Sequence, residues 1–200
     1  SNKHGSILFW PVTDGNIPLL RYLIANGANV SAKSEALTLA EIAVKYSQDE
    51  AYQILIKEGA VPVSPDSVPL LRLAQAASMF DIVAMQIQLD AGAKINGTTP
   101  DGETVLMHAF SFPLLDENQY KGIEWLLNNG ADPNLGNLPL NRAILMGSTV
   151  KVASSGRAVY AMKIIKLLLS KGAKVSGATS YGKTPLHVAA KYNYLEAAKL

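Results

Sequence analysis

The dipeptide Gly-Ala recurs behind apolar stretches at Gly27-Ala28, Gly59-Ala60, Gly92-Ala93, Gly130-Ala131 and Gly172-Ala173, and this recurrence constrains the fold more than any other feature. The first three copies are spaced 32 and 33 residues apart, and the later intervals widen to 38 and 42. An apolar stretch of helical character precedes each copy, at residues 19–24, 54–56, 87–89, 125–127 and 167–169. A fixed period of this kind marks a repeat architecture, in which a unit too small to bury its own apolar face stacks on its neighbours. Glycine just past an apolar helix is the residue a left-handed C-terminal cap requires.

Upstream of each Gly-Ala lies a copy of a second pattern, clearest near the end as Tyr181-Gly182-Lys183-Thr184-Pro185-Leu186-His187-Val188-Ala189-Ala190. The Thr184 hydroxyl suits an N-cap, and Pro185 suits the first helical position, where its missing N–H would have been unpaired anyway. Ala189 and Ala190 are small enough to let two helices approach closely. Weaker copies start near Ser6, Thr38 and Leu71, and two more, at Thr104 and Leu138, need allowance for insertions. The segment from Tyr181 to Ala190 resembles the ankyrin signature Gly-x-Thr-Pro-Leu-His-x-Ala-Ala. On the recurring frame the chain is identified as a member of the ankyrin-repeat family, with about six repeats starting near residues 6, 38, 71, 104, 138 and 184. The resemblance implies an all-α solenoid of stacked helix–turn–helix units with short hairpin-like fingers, forming a single domain over residues 1–200. It also implies that the His187 ring hydrogen-bonds between repeats.

Several positions depart from the family pattern. Pro11 falls inside the first helix and should kink or shorten it. Phe80 occupies a turn position that is usually glycine in the family. Repeat four carries about five extra residues around positions 112–116, and repeat five about thirteen around 147–159. The finger between them, residues 132–137, is about four residues short. These changes cluster in one half of the array, where long loops are either functional or merely tolerated.

Composition narrows the function. Apolar residues make up 48% and charged residues 17%, a combination that excludes disorder. With a net charge of +2 and no Lys/Arg run, the chain lacks the basic stripe of a nucleic-acid binder, so no nucleic-acid partner is expected. Lys163 to Lys174 is the most basic stretch, but its cations alternate with Ile164, Ile165, Leu167 and Leu168, as at the solvated edge of a buried helix. No apolar run is long enough to cross a bilayer, so no membrane partner is expected either. There is no cysteine, which removes disulfides, thiolate metal sites and a cysteine nucleophile. Ser1-Asn2 looks like the remnant of a cleaved tag, so a signal peptide could have been removed and the compartment stays open, with the cytoplasm favoured. The pattern stops at Leu200 inside the second helix of a repeat, as a truncated or shortened array would.

Catalysis requires convergent acid, base or nucleophile groups, and the sequence offers few. His4, His108 and His187 share no metal-ligand spacing, so neither a metal nor a cofactor is expected. Ser154-Ser155-Gly156-Arg157 lacks the P-loop spacing and reads as a flexible loop. Asn96-Gly97-Thr98 matches a glycosylation acceptor but fits a finger turn, and Asp116 and Glu117 fit the start of a helix.

Helical geometry supplies a candidate surface. In repeat two, Ala40, Ala43 and Val44 share a buried face, leaving positions 42, 45 and 46 on the opposite one. The resemblance implies that this outward face of the first helices lines a concave groove with the fingers. Carried through the frame, position 46 corresponds to Asp14, Tyr46, Met79, Phe112, Met146 and Tyr192, five of which are aromatic or Met. Such side chains suit interface anchoring. The parallel row is Trp10, Ile42, Gln75, His108, Arg142 and Val188, and Tyr181 sits in the last finger. Phe112 and Met146 adjoin the inserted loops and also fit core packing. The expected role is binding of another protein by a monomer, without enzymatic activity. Two other roles stay open: the targeting part of a larger effector or enzyme, and a stand-alone inhibitor or immunity-type protein.

Overall fold

Threonine hydroxyls start three of the helices. Thr38 accepts a hydrogen bond from the Glu41 N–H (3.2 Å), while the Glu41 carboxylate accepts from the Thr38 N–H (2.7 Å), a reciprocal capping box. Thr104 accepts from the Met107 N–H and Thr184 from the His187 N–H in the same way. The computed structural model describes residues 6–34, 36–112, 114–136, 138–150, 156–179 and 182–200. Among these, the chain is all-α apart from a two-stranded finger. It runs as helix–turn–helix pairs: α1 (Phe9–Thr13) with α2 (Ile17–Ala25), α3 (Leu39–Lys45) with α4 (Asp49–Lys57), α5 (Val68–Met79) with α6 (Ile82–Asp90), α7 (Val105–His108) with α8 (Glu117–Asn128), α9 (Pro139–Ser148) with α10 (Gly156–Ser170), and α11 (Pro185–Lys191) with α12 (Leu195–Ala198).

The Gly-Ala corners are five copies of one cap. Gly27, Gly59, Gly92, Gly130 and Gly172 all have φ between 87° and 95°, and each following alanine donates its N–H to a carbonyl in the last turn of the helix. Within the pairs, the tight turns place Gly15, Ser47, Phe80 and Asn193 in the left-handed region. Phe80 adopts φ 59° without being glycine, and Gly122 of α8 packs against it: a Cβ on Gly122 would come within 3.1 Å of the Phe80 Cβ.

Fingers join the pairs. β1 (Lys33–Ser34) pairs antiparallel with β2 (Leu37–Thr38), with Lys33 opposite Thr38 and Ser34 opposite Leu37. A second finger closes through the bridge between Thr98 and Thr104. Asparagine side chains then tie the corners together. Asn96 Nδ2 donates to the Gly130 carbonyl (3.0 Å) and its Oδ1 accepts from the Asp132 N–H (2.8 Å). Asn134 makes the same pair with Gly172 (3.0 Å) and Lys174 (2.8 Å).

The core forms two clusters that meet on α5. Leu71 closes the cluster built on Leu8, Leu20, Leu39 and Leu55, and Leu73 opens the one containing Met85, Phe110, Ile123, Ile144 and Ile164. Pro11 lies buried in the first turn of α1, a helix of five residues, where a proline is tolerated. α5 begins at Val68, ahead of Leu71, because Pro65 starts a turn of 3-10 helix (Pro65–Ser67) and Pro69 suits the first turn of α5. In repeat five, α9 continues through Ser148 and α10 begins at Gly156. Gly156 and Arg157 are therefore helical rather than loop, while residues 151–155 lie outside the described segments. The repeat-four insertion is held by Gln119, which is fully buried. Its Nε2 donates to the carbonyls of Ala109 (2.8 Å) and Phe112 (3.2 Å), and its Oε1 accepts from the Leu115 N–H (2.8 Å).

Candidate functional site

Helices α1, α3, α5, α7, α9 and α11 form the inner row. α3 packs against both α1 and α5, and α5 also against α7. Flanked on both sides and backed by its own pair partner, an inner helix keeps only a narrow outward strip. Trp10 (69% exposed), Tyr46 (36%), Met79 (67%) and Tyr192 (42%) lie on that strip, as does Arg142, and Phe112 (60%) is exposed in the segment that follows α7. Gln75 and Val188 are half-buried. Ile42, His108 and Met146 are buried, contrary to the outward placement expected for them. Ile42 and Met146 sit within the apolar clusters, because the helices stacked to either side cover the flanks of the strip. Tyr181 lies outside the described residues.

Two hollows line the inner face. One, of about 730 Å³, is walled by Trp10, Tyr46, Gln75, Met79 and Phe112. The other, of about 710 Å³, is walled by His108, Arg142, Lys183, Lys191 and Tyr192. Lys45 borders both, so they are neighbouring stretches of one groove.

His108 anchors a polar cluster at the junction. Its Nε2 lies 2.9 Å from Thr99 Oγ1 and 3.7 Å from Asp101 Oδ1, and Lys45 Nζ lies 3.7 Å from the other Asp101 oxygen. Thr99 Oγ1 is in close contact with Asp101 Oδ1. The Asp101 carboxylate and the Glu103 carbonyl, 2.9 Å from Thr99 Oγ1, both only accept, so the single Thr99 proton goes to one of them and His108 must donate its Nε2–H to Thr99. Burial, reinforced by the Lys45 charge and only partly opposed by Asp101, lowers the His108 pKa from 6.5 to about 4. The ring is therefore neutral at physiological pH. For Asp101, burial would raise the pKa, but the Thr99 hydrogen bond and the neighbouring His108 and Lys45 outweigh it and leave the group below its ordinary value. This set fixes the finger over α7; it is not poised to move protons near pH 7.

His187 hydrogen-bonds inside its own repeat rather than across to another. It is exposed, and its Nδ1 lies 2.8 Å from Thr184 Oγ1. At the matching place in the preceding repeat, Asn141 makes the cross-repeat contact, donating from Nδ2 to the Lys183 carbonyl (3.0 Å). Asn96, Asn134, Gln119 and Asn141 escaped the sequence pattern. A signal was nonetheless present for two of them, since Asn96 and Asn134 each stand four residues after a Gly-Ala glycine. Asn96 thereby spends its amide on the adjoining corner. Among the described residues, no three His, Cys, Asp or Glu side chains are grouped to hold a metal, and no helix is long and apolar enough to cross a membrane.

Stacked helix–turn–helix pairs, left-handed glycine corners and a finger-edged groove define an α-solenoid built from short repeats. The chain belongs to the ankyrin-repeat family. The family model of the ankyrin repeat matches residues 181–200. The human ankyrin repeat and SOCS box protein 3 is 30% identical over 190 residues, covering 92% of this chain and 34% of that one. The chain thus spans about a third of the length of this curated relative. An ankyrin repeat domain from Acinetobacter baumannii AYE, solved by crystallography, shares the fold with a TM-score of 0.55 at 22% identity, over 96% of this chain and 94% of that one. Ankyrin repeats are generally protein–protein interaction modules and typically non-catalytic.

Proposed function

We propose that the chain binds a partner protein in the groove of its inner helices, as a monomer and with no catalysis of its own. One observation carries this: Trp10, Tyr46, Met79 and Phe112, from four successive repeats, border a single open hollow of about 730 Å³. Large apolar side chains brought together at a surface are an interaction site more often than an accident of packing, and aromatic and Met anchors dominate interface energies. Within this function the finger tips and Arg142 supply the polar rim, Gln75 and Tyr192 extend the contact, and Ile42, His108 and Met146 hold the wall from behind.

The test compares capture of proteins by the native chain and by a Trp10→Ala/Met79→Ala/Phe112→Ala variant. All three side chains are well exposed, so the variant should keep its helical circular dichroism and its melting point to within about 2 °C. A protein retained by the native chain and lost by this variant is the expected result. Equal retention by both would move the site away from the groove. A second role, as the recruiting part of a longer protein, is favoured by the third of the human relative that the chain covers. The length of the native reading frame decides it.

A further inference from the structure

The groove changes chemical character along its length. Where Trp10, Met79 and Phe112 border it, cations are few: Arg72 is paired with Asp49 at 3.2 Å, and Lys45 lies 3.7 Å from Asp101. The neighbouring hollow carries Arg142, Lys183 and Lys191 in addition to Lys45, against two carboxylates, Asp101 and Glu103. Asp101 is engaged by Thr99 and Lys45. Arg142, Lys183 and Lys191 are all exposed, and none of them enters an ion pair among the described residues. Their backbones are well anchored. Arg142 lies on α9, and the Lys183 carbonyl is held by Asn141 Nδ2 (3.0 Å) and the Thr179 N–H (3.0 Å). Lys191 closes α11, with its Nζ 5.0 Å from the Tyr192 ring centroid. Three cations from three separate places, directed at one concavity and lacking carboxylates of their own, complement a negatively charged occupant.

We propose that the groove takes an extended polypeptide segment that is apolar toward one end and acidic toward the other. Its Asp and Glu side chains lie against Arg142, Lys183 and Lys191, and its apolar side chains against Trp10, Met79 and Phe112. The assignment rests on the groove being the binding surface and names the chemistry of what enters it. A nucleic acid fits poorly, because its evenly spaced phosphates would run on from the basic hollow into the other one and meet Asp14 and Asp81 there. A polypeptide can confine its charge to one end.

The experiment selects a random 16-residue peptide library on three proteins: the native chain, an Arg142→Glu/Lys183→Glu/Lys191→Glu variant, and the Trp10→Ala/Met79→Ala/Phe112→Ala variant. A milder Arg142→Gln/Lys183→Gln/Lys191→Gln variant guards against misfolding of the charge-reversed one. The native chain should enrich peptides with Asp and Glu clustered at one end and aromatic or aliphatic residues at the other. Their affinity should fall at least tenfold in the Gln variant and further in the Glu variant, and should weaken between 50 and 500 mM NaCl. Enriched peptides without clustered acids, or equal affinity in the charge variants, would overturn the acidic occupant while leaving the groove as a binding surface. Peptides that bind the Trp10/Met79/Phe112 variant undiminished, or no enrichment at all, would overturn the groove itself. Tighter binding of a 16-residue oligothymidylate than of any selected peptide would replace the acidic polypeptide with a nucleic acid.

Discussion

His108 shows how a side chain's neighbours decide its chemistry. Its place in the repeat suggests an outward ring, yet Thr99, Asp101 and Lys45 enclose it, and burial together with the Lys45 charge keeps it neutral against the pull of Asp101. Nothing in a one-dimensional pattern records that the finger folds back over α7, so this burial was illegible in the sequence. The pH consequence follows from linkage. In the unfolded chain the ring takes up a proton near pH 6.5, whereas in the folded chain it resists until about pH 4. Stability is therefore complete above pH 6.5 and falls as pH drops toward 4, by about 3 kcal/mol in all at about 1.4 kcal/mol per pH unit. Urea midpoints of the native chain and His108→Gln at pH 7, 5.5 and 4.5 should diverge at pH 7 and converge on acidification. A constant difference across that range would show that folding leaves the proton affinity of the ring unchanged. The corner glycines, by contrast, were plain from the sequence, because a left-handed φ admits few residues other than glycine.

At the scale of helices and loops, legibility followed local chemistry. Thr38, Thr104 and Thr184 marked helix starts correctly because an N-cap is decided within four residues. The insertions were located, but their conformation was not: residues 156–159 belong to α10, and the segment after α7 is organised by Gln119, which reads as an ordinary surface residue of α8. The Gly-Ala corners explain why the insertions are tolerated. Asn96 and Asn134 still join corner to corner across the wide intervals of 38 and 42 residues, so the contact between successive corners survives the extra residues. Gln119→Leu fills the same space but strands two carbonyls and one N–H that are now satisfied. It should lower stability by about 3 kcal/mol, read as a reduced urea midpoint, since each buried polar group left unpaired costs about 1–3 kcal/mol. A loss below about 1 kcal/mol would mean that water substitutes for the amide.

For the molecule as a whole, the period alone made the solenoid legible, and the groove followed from the family resemblance with the strip drawn too wide. Tyr46, Met79 and Tyr192 are exposed where helical geometry placed them and Phe112 is exposed beyond the end of α7, whereas Ile42 and Met146 are covered because each inner helix is flanked by its neighbours. Arg142 was a candidate from the frame, but the basic half of the groove was not legible, since Arg142, Lys183 and Lys191 are scattered over a span of 50 residues and meet only when repeats stack. Stacking also makes stability a sum of nearest-neighbour terms. Leu55→Ala, in the first apolar cluster, should cost about 2–5 kcal/mol and speed amide hydrogen exchange in α1 to α4. Exchange in α8 to α10 should be left nearly unchanged, and uniform acceleration along the chain would show a single cooperative unit instead.

Because Leu71 and Leu73 project from one helix into different clusters, α5 works like a bulkhead between two compartments. Damage on either side should stop at it, while damage to α5 itself should open both.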